Sequence, residues 1–522
     1  MGYFLLTTLT LNAQITFQKT YCSSWVSLGL YIQQTNDGGY LVSTVTLTDS
    51  SENRIYLCLL KIASSGDTLW TKTLKIGGGN QSHHPLQQTN DGGYIIANSL
   101  SPSQLIKTDS NGVVLWSKMM EAGDGEFGYW VEQTSDGGYI IAGNTRDYPG
   151  APGSFDVLLI KTDSNGNNEW SKTFGGLNYD MGFSVKQTND GGYITVGYTL
   201  NFGMGSYDIY LIKTDAFGDT IWTKAYGGGG SETAYVIQQT SDGGYIIIGH
   251  TNSFGAGMHD VYLLKLDVSG NIDWAKTYGG ASNDYGYSGE QTSDGGYIII
   301  GETQSFGNGG DDVYLIKTDS VGDIVWTKTY GGTDDDTGES IQQTSDGGYI
   351  ISGYTTSFGD CVFNTYLIKT DASGSSDCNE YQSTTSTIVT NAAFVENATA
   401  TMIGSGGITT NSTVADTSIL TRIMDCSDFT GLDQPLVDDN HITLYPNPTS
   451  GKLTLEILLD KPQNMQVRVL NMLGQEVYMF HSKWMIVGNY QTEISLAGFA
   501  KGIYVLQLKT DTKSTAKKII LQ

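Results

Sequence analysis

One phrase is written seven times along this chain, and that repetition constrains the fold more than any other feature. The phrase runs Gln-Thr, a polar residue, Asp-Gly-Gly-Tyr and a short apolar tail; Gln291-Thr292-Ser293-Asp294-Gly295-Gly296-Tyr297-Ile298-Ile299-Ile300-Gly301 is one copy. Its tyrosines are Tyr40, Tyr94, Tyr139, Tyr193, Tyr245, Tyr297 and Tyr349, at intervals of 54, 45, 54, 52, 52 and 52 residues. A fixed period of about fifty residues marks a repeat architecture. Asp-Gly signals a tight hairpin because such turns need positive φ, which glycine adopts at no steric cost. The β-branched and aromatic run after it suits a buried strand.

The full unit is clearest between Gly286 and Tyr330. A first strand ends in Gln291-Thr292, and Tyr297–Gly301 is the second. A Ser-Phe-Gly loop leads through Asp312 to a third, Val313–Lys317, and a turn at Asp319–Gly322 leads to a fourth centred on Trp326. Four antiparallel strands in a unit of this length describe a propeller blade. The 45-residue interval reflects a short loop after Asn98, which spares the strands.

The ends of the array are informative. Six units carry a fourth-strand tryptophan: Trp70, Trp116, Trp170, Trp222, Trp274 and Trp326. The seventh loses it and reaches Cys378 instead, while Phe17-Gln18-Lys19-Thr20-Tyr21 matches the missing strand. The expected fold is therefore all-β: a seven-bladed propeller over residues 15–377, with the N-terminal strand closing the last blade. Closure removes sheet edges that an open array would expose.

Composition agrees, with 67 Gly, 8 Pro and 32 Tyr among 522 residues and no sustained helical period. The net charge of −26 is uneven: residues 438–522 carry +2 and the first 437 carry −28. So acidic a body repels phosphate backbones and excludes nucleic acid as a partner. Residues 1–14 read as a secretory signal peptide, truncated or with its start upstream because the usual basic region is missing, Ala13 being suited to cleavage; the alternative is a buried strand. No other segment approaches the ~20 apolar residues of a membrane span. Residues 378–437 are Ser/Thr-rich and read as an extended spacer, with Cys378 and Cys426 as a candidate disulfide. Residues 438–522 alternate short strands with turns, the pattern of a small β-sandwich.

That C-terminal stretch resembles the sorting domain of the Bacteroidetes type IX (Por) secretion system. The matching positions are Tyr445-Pro446-Asn447-Pro448 with Gly451, then Asn471, Gly474, Gln475 and Val477, then Lys501-Gly502-Ile503-Tyr504, then Lys517-Lys518. The resemblance implies export to the surface or medium and contact with the type IX machinery, and nothing about cargo activity. The Lys-Thr-Asp-Ser-x-Gly-x-x-x-Trp pattern of the blades resembles the tryptophan-docking repeat of pyrroloquinoline-quinone-type propellers. There the tryptophan of one blade docks on its neighbour's turn, a structural role.

The turn acids Asp37, Asp91, Asp136, Asp190, Asp242, Asp294 and Asp346 are read as bonding their own turns. Lys61, Lys107, Lys161, Lys213, Lys265, Lys317 and Lys369 recur at a strand end, as packing or ion-pair residues do. His83, His84, His250, His259, His441 and His481 share no repeat position and read as surface residues. No nucleophile elbow, zinc-protease, P-loop or EF-hand spacing is present, and no catalytic residue or cofactor is expected. One constellation remains, on the face that receives the inter-blade loops. It comprises Glu126, Asp180, Glu232, Asp284 and Asp336, each 13 residues before a repeat tyrosine, with Asp156, Asp208, Asp260 and Asp312 before third strands. Phe202, Phe254, Phe306 and Phe358 lie in the same loops. Carboxylates around a channel mouth attract cations, with calcium the candidate at Asp284 and Asp336, and aromatics stack on sugars. The competing reading is that these acids cap strand ends and bond loop amides.

The leading expectation is a secreted or surface binding scaffold, non-enzymatic, taking a glycan, a cation or a protein on the inter-blade-loop face. The alternatives are a quinoprotein-like or carboxylate-dependent secreted enzyme and a structural envelope or adhesion protein. Near-identical blades disfavour an enzyme, because an active site needs a few blades to depart from consensus and converge.

Overall fold

The computed structural model describes residues 14–22, 26–47, 55–75, 85–98, 104–121, 127–146, 154–359 and 361–376. Beyond these it describes 380–381, 387–390, 394–397, 408–411, 416–417, 422–425, 442–445, 449, 451–459, 463–471, 476–485, 488–496, 499, 501–510 and 514–521. Among the described residues every regular element is a strand, and no helix is long and apolar enough to cross a membrane. The proposed signal peptide, residues 1–14, lies almost wholly outside them. The chain divides into two compact units, Met1–Cys426 and Ser427–Gln522.

The first unit is a seven-bladed propeller. Each antiparallel sheet orders the strands of one repeat consecutively, as in Asp284–Gln291, Tyr297–Thr303, Asp312–Thr318 and Ile324–Tyr330 of blade six. First strands of successive blades touch one another in an unbroken cycle, Val26–Gln34 of blade one meeting Asp336–Gln343 of blade seven. First strands therefore line the axis. Alternation buries one side chain set against each neighbour: Ile298, Ile300, Val313 and Leu315 of blade six pack with Tyr349, Ile351, Tyr366 and Ile368 of blade seven.

The repeated phrase has local causes. In blade six the first turn glycine, Gly295, has φ of 84°, which a side chain disfavours. A Cβ on the second, Gly296, would stand 2.2 Å from the Thr318 carbonyl oxygen. The fourth-strand tryptophan reaches the next blade, where a Cβ on Gly322 would lie 2.8 Å from the Trp274 ring. The same approach joins Trp70 to Gly112, Trp116 to Gly166, Trp170 to Gly218, Trp222 to Gly270 and Trp326 to Gly374. This is the docking geometry expected of the tryptophan; the repeat family itself rests on the sequence motif.

Ring closure follows the expected route. Phe17–Cys22 pairs with the third strand of blade seven, Phe17 opposite Lys369 and Tyr21 opposite Thr365. Phe17 takes the tryptophan's place against Gly66 of blade one, and the Tyr21 hydroxyl donates to the Gly66 carbonyl. Tyr226 and Tyr278 make that bond to Gly270 and Gly322 at 2.7 Å. A disulfide the sequence did not suggest joins Cys22 to Cys361 in the blade-seven loop, and Cys58 is a buried free thiol. The candidate pair Cys378 and Cys426 lies outside the described residues.

The described parts of the Ser/Thr-rich segment are strands added to outer blade edges. They run backwards around the ring: Glu380–Tyr381 on blade six, Thr387–Thr390 on five and Phe394–Asn397 on four. Ile408–Asn411 then pairs with blade two, Asp416–Thr417 with blade one and Arg422–Asp425 with Phe17–Cys22. Ser/Thr-rich chain has the β propensity for an edge strand without the apolar residues for a core.

The second unit holds a three-stranded and a four-stranded antiparallel sheet. Leu453, Leu455, Ile457 and Ile494 from the first share a core with Val467, Val469, Leu506 and Ile519 from the second. Among the motif positions, Gly451 has φ of 131° and its carbonyl accepts the Leu496 N–H at 2.7 Å. Gly502 opens a strand, Tyr504 is buried in the core, and Lys517 and Lys518 lie in the last strand. Pro446, Asn447, Pro448 and Gly474 lie outside the described residues.

Candidate functional site

The turn acids and strand-end lysines form one device repeated seven times. Asp37 accepts from the Thr35 hydroxyl at 2.6 Å, the Gly39 N–H at 3.0 Å and the Lys61 ammonium at 2.9 Å. Burial pushes its carboxyl up, but the bonds from Thr35, Lys61 and Gly39 outweigh it and bring the pKa to about 2. The other six Lys–Asp pairs, from Lys107–Asp91 to Lys369–Asp346, span 2.9–3.0 Å. These are structural groups, as their recurrence implied.

The acids expected to ring a channel mouth do not face one. Asp180, Glu232, Asp284 and Asp336, and with them Asp156, Asp208, Asp260 and Asp312, are at most 2% exposed. Each begins a strand, and for all but Asp156 the inter-blade link or the loop between second and third strands places amides or hydroxyls on the carboxylate. Asp284 takes the Gly280 N–H and the Ser305 hydroxyl, both at 2.7 Å, together with the Thr303 hydroxyl. Asp336 repeats this with Gly332 and Ser357 at 2.7 Å. Glu232 accepts from Gly228 at 2.8 Å and Thr251 at 2.6 Å, and Asp180 from Gly176 at 2.9 Å. Amides three or four residues upstream bind Asp208, Asp260 and Asp312 at 3.0–3.1 Å. The open acidic rim is thus corrected to buried acid pairs within the links. Glu126 lies outside the described residues.

These acids meet in pairs across a link glycine. A Cβ on Gly331 would stand 2.4 Å from Asp312 Oδ1 and 2.7 Å from Asp336 Oδ2. Burial, then the partner's charge, raises Asp156 to about 8; burial against opposing hydrogen bonds raises Asp180 to about 7 and both Asp312 and Asp336 to about 6. The loop phenylalanines are half-buried: Phe202, Phe254 and Phe306 pack on Tyr210, Tyr262 and Tyr314 with centroids 5.4, 6.0 and 5.6 Å apart. Phe358 does the same on Tyr366.

The residues that do converge occupy the channel. In six innermost strands the register slips by one residue, skipping Leu30, Tyr129, Phe183, Tyr235, Tyr287 and Glu339. A bulge re-aims the extra side chain. All six line an axial void of about 50 Å³. Tyr129–Phe183, Phe183–Tyr235 and Tyr235–Tyr287 are in ring contact at 5.3, 5.4 and 5.7 Å, an aromatic septum across blades three to six. Burial, helped by the charge of Glu302, pushes Glu339 up to about 8. Glu302 accepts from the Tyr287 and Thr337 hydroxyls at 2.7 Å.

Toward the inter-blade loops the septum continues into a wall of His250, His259 and Tyr285. His250 lies 4.8 Å from Tyr285 and 5.5 Å from His259, centroid to centroid. Burial and the neighbouring His259 lower His250 to about 3, so it stays neutral. The reading of these two histidines as plain surface residues is therefore corrected; His83, His84 and His441 lie outside the described residues. Tyr198 and Tyr207 extend the wall at 4.8 Å.

Toward the hairpin turns the channel is belted by glutamines. The Ser345 N–H donates to Gln34 Oε1, Asn36 to Gln88, Asn90 to Gln133, Ser135 to Gln187, Asn189 to Gln239, Ser241 to Gln291 and Ser293 to Gln343, at 2.8–3.0 Å. This explains the invariant Gln before each Thr, whose role the sequence did not disclose. The residue before it accepts an N–H from the next blade: Gln33 from Gln88, Gln87 from Gln133, Gln238 from Gln291, Glu290 from Gln343 and Gln342 from Gln34. At the two remaining positions stand Glu132 and Lys186, paired to each other at 2.7 Å.

Comparison with known proteins bears on the second unit. The family model of the secretion system C-terminal sorting domain matches residues 443–522. No curated protein matches the chain. Among solved structures, a protein of unknown function from Bacteroides caccae is similar at 12% identity and TM-score 0.34, over 60% of this chain and 93% of its own. PorZ, a surface component of the type-IX secretion system of Porphyromonas gingivalis, is similar at 11% identity and TM-score 0.23, over 95% and 81%. A puromycin hydrolase mutant is similar at 12% identity and TM-score 0.43, over 83% of this chain and 59% of its own. At these scores the likenesses decide nothing about ligand or activity.

Proposed function

We propose that this chain, exported through its type IX sorting domain at residues 443–522, is a non-enzymatic binding propeller that engages a protein partner on its inter-blade-loop face. The observation that carries the reading is where the blades stop repeating. Exposed apolar residues near the turns recur from blade to blade, as Leu69, Leu115, Ile221 and Val325 each precede the docking tryptophan. On the loop face they do not recur: Leu177, Tyr179, Met204, Tyr207, Met258 and Val362 are blade-specific, and Leu177 is 75% exposed. Tyr207 packs on Tyr198 of the wall at 4.8 Å, and Met258 adjoins His259. Methionine and tyrosine adapt to apolar protein surfaces, and exposed apolar patches mark interaction sites.

The non-enzymatic part rests on the near-identical blades. Glu302 and Glu339 form a carboxylate set with a raised acid, but Glu339 opens on a void of about 50 Å³, which argues against catalysis at that acid. A glycan on the aromatic wall is the second reading. Calcium at Asp284 and Asp336 is the third reading, placed behind the other two because loop hydroxyls and amides bind those carboxylates.

A photoreactive residue placed at Met258 or Tyr207 on intact cells should capture a discrete protein, while one at Val268 on the turn face should not. Equal capture from both faces, or capture from neither, would refute the protein reading.

A further inference from the structure

The glutamine belt is interrupted at one sector, and the larger cavity in the channel opens there. Five of seven innermost strands offer a side-chain oxygen, four from Gln and one from Glu290, to the N–H of the next blade. Glu132 of blade three instead turns its carboxylate onto Lys186, and Lys186 of blade four has no acceptor to offer. The amides in register with those five donors belong to Gln187 and Gln239. Both residues line a cavity of about 430 Å³, with Lys186, Trp130, Tyr31 and Glu290 around it. It lies on the turn side of the septum, apart from the loop-face wall.

Its lining is specific in chemistry. Trp130 and Tyr31 meet edge to face at 5.8 Å, and the Lys186 ammonium stands 5.0 Å from the Trp130 ring. Trp130 Nε1 is buried without a hydrogen-bond partner. A donor left unmet gains when a ligand oxygen reaches it. Glu290 lines the cavity and Glu132 already pairs with Lys186, which disfavours a phosphate or a carboxylate. Donors that want neutral oxygens, a carboxylate that accepts hydroxyls and aromatic walls for C–H faces suit one ligand class. The volume lies in the usual range of about 300–1,000 Å³ for small-molecule sites.

We propose that the turn-side end of the axial channel is a binding site for a neutral sugar of one or two rings, seated where Lys186 interrupts the glutamine belt. Lys186 and Glu290 would bond its hydroxyls, the Gln187 and Gln239 amides its oxygens, and Trp130 would cover one ring face.

The test is a titration of the full chain with glucose, galactose, mannose, N-acetylglucosamine and their disaccharides, followed by tryptophan emission and saturation-transfer NMR. At least one should bind and perturb Trp130. The double substitution Glu132→Gln with Lys186→Gln restores the belt consensus, so it should keep or raise the melting temperature while weakening binding by about tenfold or more. A Trp130→Phe variant keeps a ring but loses Nε1–H, and should weaken binding with little change in melting. Absence of binding by every sugar, unchanged affinity in the double variant, or tighter binding of glucuronate or phosphate than of any neutral sugar would each overturn the proposal. None of these outcomes bears on the loop-face partner.

Discussion

The backbone N–H of Ser345 in blade seven donates to the side-chain carbonyl of Gln34 in blade one at 2.8 Å, across 311 residues of sequence. The same bond joins every other pair of neighbouring blades, so the glutamine belt runs across the seam unbroken. Gln34→Ala and Gln187→Ala should each cost about 1 kcal/mol in urea unfolding, the net worth of one such bond. If Gln187→Ala destabilises and Gln34→Ala does not, blades seven and one are not joined in solution as described.

The seam has a covalent lock beside it. Cys22 ends the closing strand and Cys361 sits in the loop before the third strand of the same blade, their Cα atoms 6.3 Å apart. Reduction, or Cys22→Ser, should destabilise the propeller by about 2–4 kcal/mol, the usual contribution of a disulfide. Thermal melts with and without reductant measure it. Cys58, buried and raised by burial to about 11, should react with thiol reagents only on unfolding.

Stability should depend on pH through two sets of acids with opposite signs. Asp156 and Asp180 are raised to about 8 and 7, so the folded state holds protons that the unfolded chain releases from about pH 4 upward. Each such proton lowers stability by ~1.4 kcal/mol per pH unit until the folded pKa is passed. The turn acids, with Asp37 lowered to about 2, act the other way: their stabilisation is present above pH 4 and is lost as pH falls toward 2. Unfolding free energy should therefore peak near pH 4 to 5 and decline toward 8. Asp156→Asn should flatten that decline, and an unchanged profile would show that the pair is not protonated in the folded state.

If loop hydrogen bonds are the role of the inter-blade acids, calcium should not matter to them. Asp284→Asn combined with Asp336→Asn should lose about 1–3 kcal/mol per site, equally in calcium and in chelator. A calcium-dependent rise in melting temperature that the double variant abolishes would instead restore a cation site there.

What the sequence made legible was whatever repeats. Asp-Gly-Gly, the docking tryptophan and the Phe17–Tyr21 match each report a local rule applied seven times, so blade count, strand order and closure could be read directly. The channel could not be read so, because its residues sit at bulges, and a one-residue slip turns a side chain to another face. Counting ten residues back from each tyrosine gives Leu30, His84, Tyr129, Phe183, Tyr235, Tyr287 and Glu339, variable in a constant frame, which is the signal that was available; His84 lies outside the described residues. The acids misled for a related reason. Their recurrence was visible, but whether Asp284 faces water or Ser305 depends on how the glycine link folds, which spacing alone does not set. The edge strands between Glu380 and Asp425 lack any period, and their partners are supplied by the finished ring.

Those edge strands bear on where the chain can be cut. The compact propeller unit extends to Cys426, beyond the last repeat, because edge strands from Glu380 to Asp425 pair with its outer blades. The sorting domain match begins at residue 443. A chain ending at Cys426 should therefore melt like the propeller of the whole protein but fail to reach the cell surface in a type IX-competent host. A chain ending at Asp377 should also remain inside and, with the outer edges of blades stripped of their added strands, should self-associate. Surface labelling checks the first expectation and light scattering the second. Surface delivery of the Cys426-terminated chain would show that the export address is not confined to the C-terminal domain. Monodisperse behaviour of the Asp377-terminated chain would show that the added strands are not needed to cover the blade edges.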